Sequence, residues 1–334
     1  MIEMGLQIIP TMPVQEVIDT IRVAEELDYR YCVVADEGFM PDVYVTLGLA
    51  AQHTSQIKLG PVTNGYTRHP AVTANAAATL NEVSNGRALV NLVAGGSMVL
   101  RPMAIPREAP LTVMRETIDI LHRLWSGDNV SYDGQRYRLA SAQTTLGPQK
   151  IAIWLSVRGP KLLELSGRQA EGVVLMAKSD LGPAIKIMEQ GRAESGNRPK
   201  RIYLDRIAYT PEMLAEAGKL YTYAVMDSPA RMLRGMGLTD VQIENIQTAV
   251  RSGGPATAAE FITPEMIKNY QIAGTPEECS ATLQALIIEH QLDIFLLNII
   301  SSGLEANTRL MQKVAEIVRS VEGNDGAREA GMDN

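Results

Sequence analysis

Residues 57–93, IKLGPVTNGYTRHPAVTANAAATLNEVSNGRALVNLV, hold the pattern that decides the fold. Ile57 to Val62 is an apolar run of strand length, Ala71 to Val83 reads as a helix, and Ala88 to Val93 is a second apolar run. Strand, helix and strand joined by short connections make a βαβ unit, whose strands lie parallel with a right-handed crossover. The same alternation extends toward the N-terminus, with strands at Gly5–Ile9 and Tyr31–Ala35 and helices at Val14–Leu27 and Val43–His53. In the first helix Val14, Val17, Ile18, Ile21, Ala24 and Leu27 fall three and four apart, opposite Glu16, Asp19, Arg22, Glu25 and Asp28. One stripe packs and the other meets water.

Toward the C-terminus a helix over Leu111–Trp125 is followed by a hairpin over 129–140, centred on Asp133-Gly134, a dipeptide that favours tight turns. The βα rhythm then resumes with strands at Ile151–Leu155, Val173–Met176, Ile202–Ala208 and Ile294–Ile299, and the last helix runs to Val321. The count of parallel strands reaches eight, which predicts an α/β fold of the (β/α)8 TIM-barrel type, one domain over 1–321. Residues 211–270 are mainly helical, with breaks at Gly235–Gly237 and Gly253-Gly254, and form an insertion after the seventh strand. Such an insertion sits at the catalytic end, either as a lid or as a cap with no part in binding. From 322 to 334 periodicity gives way to Gly, Asp, Asn and Glu, the composition of a disordered tail.

Hydrophobic residues make up 46% of the chain but aromatics only 5%, so the core is aliphatic, as parallel strands between helices require. Net charge is −7 with scattered Lys and Arg, which offers no footprint for nucleic acid or an anionic membrane. Cys32 and Cys279 lie in apolar runs and read as buried free thiols of a reducing compartment. No apolar run approaches the ~18 residues needed to cross a bilayer. The expectation is a cytoplasmic protein acting on a small molecule.

A barrel places its site at the C-terminal ends of its strands. After the second strand come Asp36 and Glu37; adjacent carboxylates at a barrel mouth can raise one pKa, which makes Glu37 the candidate acid and Asp36 its orienter. After the third, Pro61, Val62, Thr63 and Asn64 suggest a bulge that exposes backbone to a flat ring. His69, before Pro70, reads as a helix cap or a base. After the fourth, Ala94, Gly95, Gly96 and Ser97 allow close approach to the backbone. After the fifth, Ser156, Val157, Arg158, Gly159 and Pro160 open a helix beside cations, an arrangement that grips phosphate. After the sixth, Ala177 and Lys178 add one cation, solvated or facing the mouth. No GxGxxG, Walker loop, CxxC, HExxH or GxSxG occurs, so nothing points to a metal, a nucleoside triphosphate or a serine nucleophile.

The runs 57–64 and 66–74, with Thr79-Leu80-Asn81-Glu82-Val83-Ser84-Asn85-Gly86-Arg87, resemble the luciferase-like superfamily of flavin and deazaflavin oxidoreductases. The match is most similar to its methylenetetrahydromethanopterin reductase branch, whose cofactor is coenzyme F420. Val130 to Gly134, Arg158 to Gly167 and Ala273 to Glu278 carry the same resemblance, which covers nearly the whole chain. It implies a cis peptide between Pro61 and Val62 against the ring, a cofactor phosphate at Arg158, Gly159 and Pro160, and Asp36 and Glu37 beside the reactive ring carbon. Gly65 stands where the branch commonly has Pro, which predicts a looser loop. Glu37 replaces a frequent His, and Ser97 a carboxylate found in some members, so substrate class is not inherited. The resemblance implies hydride transfer between F420 and a small substrate with a C=N, C=C or C=O bond, in a homodimer. An FMN-dependent monooxygenase and a non-catalytic flavin-binding barrel are the alternatives.

Overall fold

The computed structural model describes residues 2–329. Among the described residues ten strands follow one another: β1 (Glu3–Ile8), β2 (Tyr31–Ala35), β3 (Lys58–Thr63), β4 (Leu89–Val93), β5 (Val130–Asp133), β6 (Arg138–Ala142), β7 (Ala152–Ser156), β8 (Gly172–Leu175), β9 (Lys200–Asp205) and β10 (Ile294–Ile299). All but β5 and β6 pair in parallel in the order β1-β10-β9-β8-β7-β4-β3-β2, and β1 pairs with β2 to close the ring. The eight-stranded barrel predicted from the alternation is therefore present.

Tyr31, Val33, Ala35, Val62, Leu89, Trp154, Val174, Ile202, Leu204, Ile294 and Leu296 fill the barrel interior, while alternate residues such as Cys32, Val34, Tyr203, Phe295 and Leu297 pack outward. This period of two is what a sheet buried on both faces demands. Helices cover the outside: α1 (Val14–Glu26), α2 (Val43–Gln52), α3 (Pro70–Val83), α4 (Ser97–Leu100), α5 (Pro110–Leu124), α6 (Pro160–Gln169) and α7 (Leu181–Ser195) come before the insertion. The insertion holds α8 (Pro211–Asp227), α9 (Ala230–Gly235), α10 (Asp240–Ala258) and α11 (Pro264–Tyr270); α12 (Pro276–His290) and α13 (Leu304–Glu329) complete the coat. Cys32 and Cys279 are buried free thiols, and burial pushes the Cys279 thiol up to about 11.

The insertion builds its own apolar core from Tyr221, Val225, Met232, Leu233, Met236 and Ile246. Its two ends are tied together by Asp205, which accepts from Arg206 N at 2.6 Å, Ile207 N at 3.1 Å and Ile272 N at 2.8 Å. Burial raises the Asp205 pKa, against the pull of its hydrogen bonds from Tyr203 and those amides. Because Ala208 N also donates to Ile272 O and Gly274 N to Ala208 O, the chain leaves and re-enters the barrel at one point.

Three expectations are corrected. The hairpin exists, but Asp133 pairs with Arg138, so the loop is Gly134 to Tyr137 rather than a tight Asp-Gly turn. The cause is Glu116 of α5, buried beneath it, whose carboxylate accepts from the amides of Gln135, Arg136 and Tyr137 at 2.8–3.1 Å. No described peptide bond is cis, Pro61–Val62 included, and β3 keeps one register from Leu59↔Ala88 to Val62↔Asn91, which leaves no inserted residue for a bulge. Gly60 lies between, where a Cβ would stand 2.3 Å from Leu89 O; its missing side chain, not a cis bond, admits the close approach. Finally, α13 continues to Glu329, past the point where the tail was expected to begin, and 330–334 of that tail lie outside the described residues.

Helices α6 and α7 touch backbone to backbone. A Cβ on Gly191 would stand 1.9 Å from Glu164 O, and one on Gly167 2.0 Å from Met188 O. Since neither carbonyl can move without breaking its helix, Gly191→Ala is expected to destabilise the fold by about 1–3 kcal/mol, an overpacking cost. Thermal unfolding checks this, and an unchanged transition temperature would show that the helices separate freely.

Candidate active site

The C-terminal strand ends bring the candidate residues to one rim. Ala35 faces the interior, so Asp36 after it turns to the outer side, where it accepts from Thr63 Oγ1 at 2.8 Å and Arg68 Nε at 2.7 Å. Arg68 Nη2 also meets Asp42 at 2.7 Å, and Asp42 caps α2 by accepting from Tyr44 N and Val45 N. Partial burial works against the Arg68 charge, but the bonds to Asp36 and Asp42 outweigh it and raise its pKa. The Asp36 carboxylate is thus engaged by Thr63 and Arg68. Glu37 is half-buried at the mouth, its carbonyl accepting from Phe39 N at 2.7 Å. Gly38, at φ +69°, lies where a Cβ would meet Met103 Cε at 2.4 Å, which holds this loop against the segment after β4.

Val62 faces the interior, and buried Asn64 folds the following loop by accepting from Tyr66 N and Thr67 N at 2.9 and 3.0 Å. That loop is not loose at Gly65. Tyr137 OH donates to Gly65 O at 2.6 Å, and a Cβ there would stand 2.6 Å from Thr117 Oγ1, so the hairpin pins it. His69 caps α3, its Nδ1 accepting from Ala71 N. Beyond β4, Ala94 O accepts from Arg107 Nε at 2.8 Å, Gly95 takes φ +80°, Gly96 borders open space, and Ser97 is exposed at the start of α4. Within β4, fully buried Asn91 accepts from Ser156 Oγ at 3.0 Å, and its Nδ2 has no partner.

At the end of β7, Arg158 Nη1 donates to Ser228 Oγ at 3.0 Å and Nη2 lies 3.1 Å from the Met176 sulfur. Gly159 is the N-cap of α6 with no side-chain cap and open space beside it, and Pro160 fills the first turn. Arg231 pairs with buried Asp180 and reaches Arg158 O at 3.4 Å, while the buried Ser179 Oγ is unpartnered. The Arg158 guanidinium beside the uncapped N-terminus of α6 makes a cradle for a phosphate-like anion, with Arg231 next to it already neutralised by Asp180. Val157, by contrast, turns its side chain into the outer core.

The end of β8 departs from expectation. The Ala177 side chain is buried in the core of the insertion, at φ +65°. Burial lowers the pKa of Lys178, against the opposing charge of Asp205 and with the help of Lys268. Ser228 and Arg231 went unread because they lie some 70 residues from Arg158 in the chain. Asn91 carried a readable signal, a polar residue at an inward position of an otherwise apolar strand. Among the described residues no cluster of three His, Cys, Asp or Glu could hold a metal, and no helix is long and apolar enough to cross a membrane.

Arg68→Ala would leave Asp36, 8% exposed, without its cation, and is expected to cost about 3 kcal/mol of stability. Denaturant unfolding measures it, and a loss under ~0.5 kcal/mol, the level of an ordinary surface change, would mean the pair holds nothing.

The profile of the luciferase-like monooxygenase family matches residues 3–289. A 5,10-methylenetetrahydromethanopterin reductase of Methanolobus tindarius is 30% identical over 85% of this chain and 90% of its own. Another from Archaeoglobus fulgidus is 31% identical over 82% and 86%. The structure of a coenzyme F420 dependent tetrahydromethanopterin reductase from Methanopyrus kandleri superposes with a TM-score of 0.86 at 25% identity, covering 96% of this chain and 99% of that one.

Proposed function

This chain belongs to the luciferase-like monooxygenase family, and on that premise we propose that it is a coenzyme F420-dependent oxidoreductase, working as a reductase on a small organic substrate. The reacting bond is a C=N, C=C or C=O. The observation that carries this reading is the anion cradle at β7 and β8, taken with similarity over most of the chain to proteins named as reductases of this cofactor class.

The residues present fit the cofactor. Arg158 and the uncapped α6 start at Gly159 suit its phosphate, and Arg231, held by Asp180, braces Arg158 through its carbonyl. Val62 faces the interior at the end of β3 and Asn64 opens the loop after it, whereas Pro61 and Thr63 alternate outward; the open space at Gly96 with the turn at Gly95 lets a flat group approach backbone. When bound, the deazaflavin supplies hydride and, with carbon at position 5, activates oxygen poorly. Glu37 then delivers the proton to the reduced substrate, from a loop fixed by Gly38 and Met103. Asp36 acts as a positioning residue through Thr63 and Arg68. The insertion, seated over β7 and β8 through Ser228 and Arg231, keeps water from the ring.

Val45 and Leu49 on α2 and Val72 on α3 are 64, 45 and 56% exposed. We assign this apolar face to a homodimer contact, which light scattering tests: a dimer in wild type, and monomer after Val45→Asp with Val72→Asp. A monomeric wild type removes the contact.

Titration with F420 and FMN, with and without air, tests the function. F420 is expected to bind tightly with no oxygen consumption, whereas FMN-driven oxygen uptake would favour the monooxygenase reading and overturn this one. Arg158→Ala should weaken F420 binding by ~1.5–3 kcal/mol, roughly ten- to 150-fold, the worth of a charged hydrogen bond. Glu37→Gln with full turnover would take that residue out of the acid role.

A further inference from the structure

Arg206 follows β9 in the inward phase of Ile202 and Leu204. Asn298 holds the same phase on β10, after Ile294 and Leu296. Since Leu297 pairs with Asp205, the register places Asn298 opposite Arg206 at the barrel mouth. The Arg206 side chain is 12% exposed, and its Nη2 meets Glu216 of α8 at 2.8 Å. Its Nε and Nη1 are buried without partners, and so is Asn298 Oδ1. Glu216, 43% exposed, also accepts from Ser301 Oγ at 3.1 Å, beyond the end of β10.

A buried donor left unpaired costs about 1–3 kcal/mol, and native folds seldom leave two on one side chain beside an idle acceptor. The Glu216 side chain, 43% exposed, is the solvent side of the cluster. Its charge requirement is already met, because Glu216 neutralises the guanidinium; what remains unmet is hydrogen bonding. A second carboxylate here would bring an uncompensated negative charge to a half-buried place. A neutral oxygen acceptor satisfies the idle Arg206 donors, and a neighbouring N–H satisfies Asn298 Oδ1.

We propose that Arg206 and Asn298 form a substrate-recognition site for a neutral amide edge, a C=O with an adjacent N–H, carried on the substrate. Glu216 and Ser301 act as positioning residues that hold the guanidinium and set its preference against anions. As a statement about substrate, this rests on the reductase reading; as a statement about a binding site, it does not.

The test is a ligand-observed NMR titration of the full chain, with and without F420, using benzamide, benzoate and N,N-dimethylbenzamide. Wild type is expected to favour benzamide over both others. Arg206→Met should weaken benzamide roughly fivefold or more, as the loss of about 1 kcal/mol of hydrogen bonding implies. Glu216→Gln should reverse the benzamide–benzoate order, because the guanidinium is then uncompensated. Equal benzamide binding in wild type and a folded Arg206→Met, or a wild-type preference for benzoate, overturns the proposal. Should Arg206→Met not fold, Glu216→Gln decides: an unchanged order overturns it. A chain that binds benzamide as predicted but not F420 would lose the reductase reading and keep this site; one that binds F420 yet ignores Arg206→Met would do the reverse.

Discussion

Closure of eight parallel strands is the constraint on which everything else depends. In a closed parallel barrel every strand points the same way, so residues as far apart in the chain as Asp36, Val62, Gly95, Gly159 and Arg206 must share one rim. The interior beneath is filled by aliphatic side chains with Tyr31 and Trp154, which makes the barrel a packed support rather than a pore. The chemistry is therefore confined to the last inward residue of each strand and the loop after it.

Loops alone would be too mobile to hold a ring and a phosphate in register, and the structure answers with ties between neighbours. Arg68 joins the ends of β2 and β3 to the cap of α2. Glu116 and Tyr137 brace the hairpin and, through Gly65, the loop after β3. Asp205 gathers both ends of the insertion at a single point, and Ser228 and Arg231 then reach back over β7 and β8. Buried or half-buried charge-assisted bonds of this kind are worth more than exposed ones, and breaking them leaves a charge stranded.

The barrel was legible because its signal is repetitive: alternating apolar runs and amphipathic helices, with strand Ile294–Ile299 falling where the sequence put it. Of the cluster around Arg158, only the local half, Arg158 to Pro160, was legible, since glycine and proline at a helix start act within a few residues. Its other half, Ser228 and Arg231, arrives through tertiary packing that no local pattern encodes. Local rules also lost where distant groups outbid them, as at Asp133-Gly134, where the buried Glu116 carboxylate claims three loop amides and opens the turn. At Pro61–Val62 the implied cis bond gave way to an all-trans strand whose close approach is carried by Gly60. Ala177 faces the core of the insertion because that packing, set by residues far along the chain, has no local signal.

The most direct measurement of the central claim is a crystal structure of the chain with F420 bound. The account predicts the phosphate within hydrogen-bond distance of Arg158 and the Gly159 amide, with the ring lying over Val62 at the strand C-termini. A ring bound away from that rim, or a phosphate held by neither residue, would contradict it.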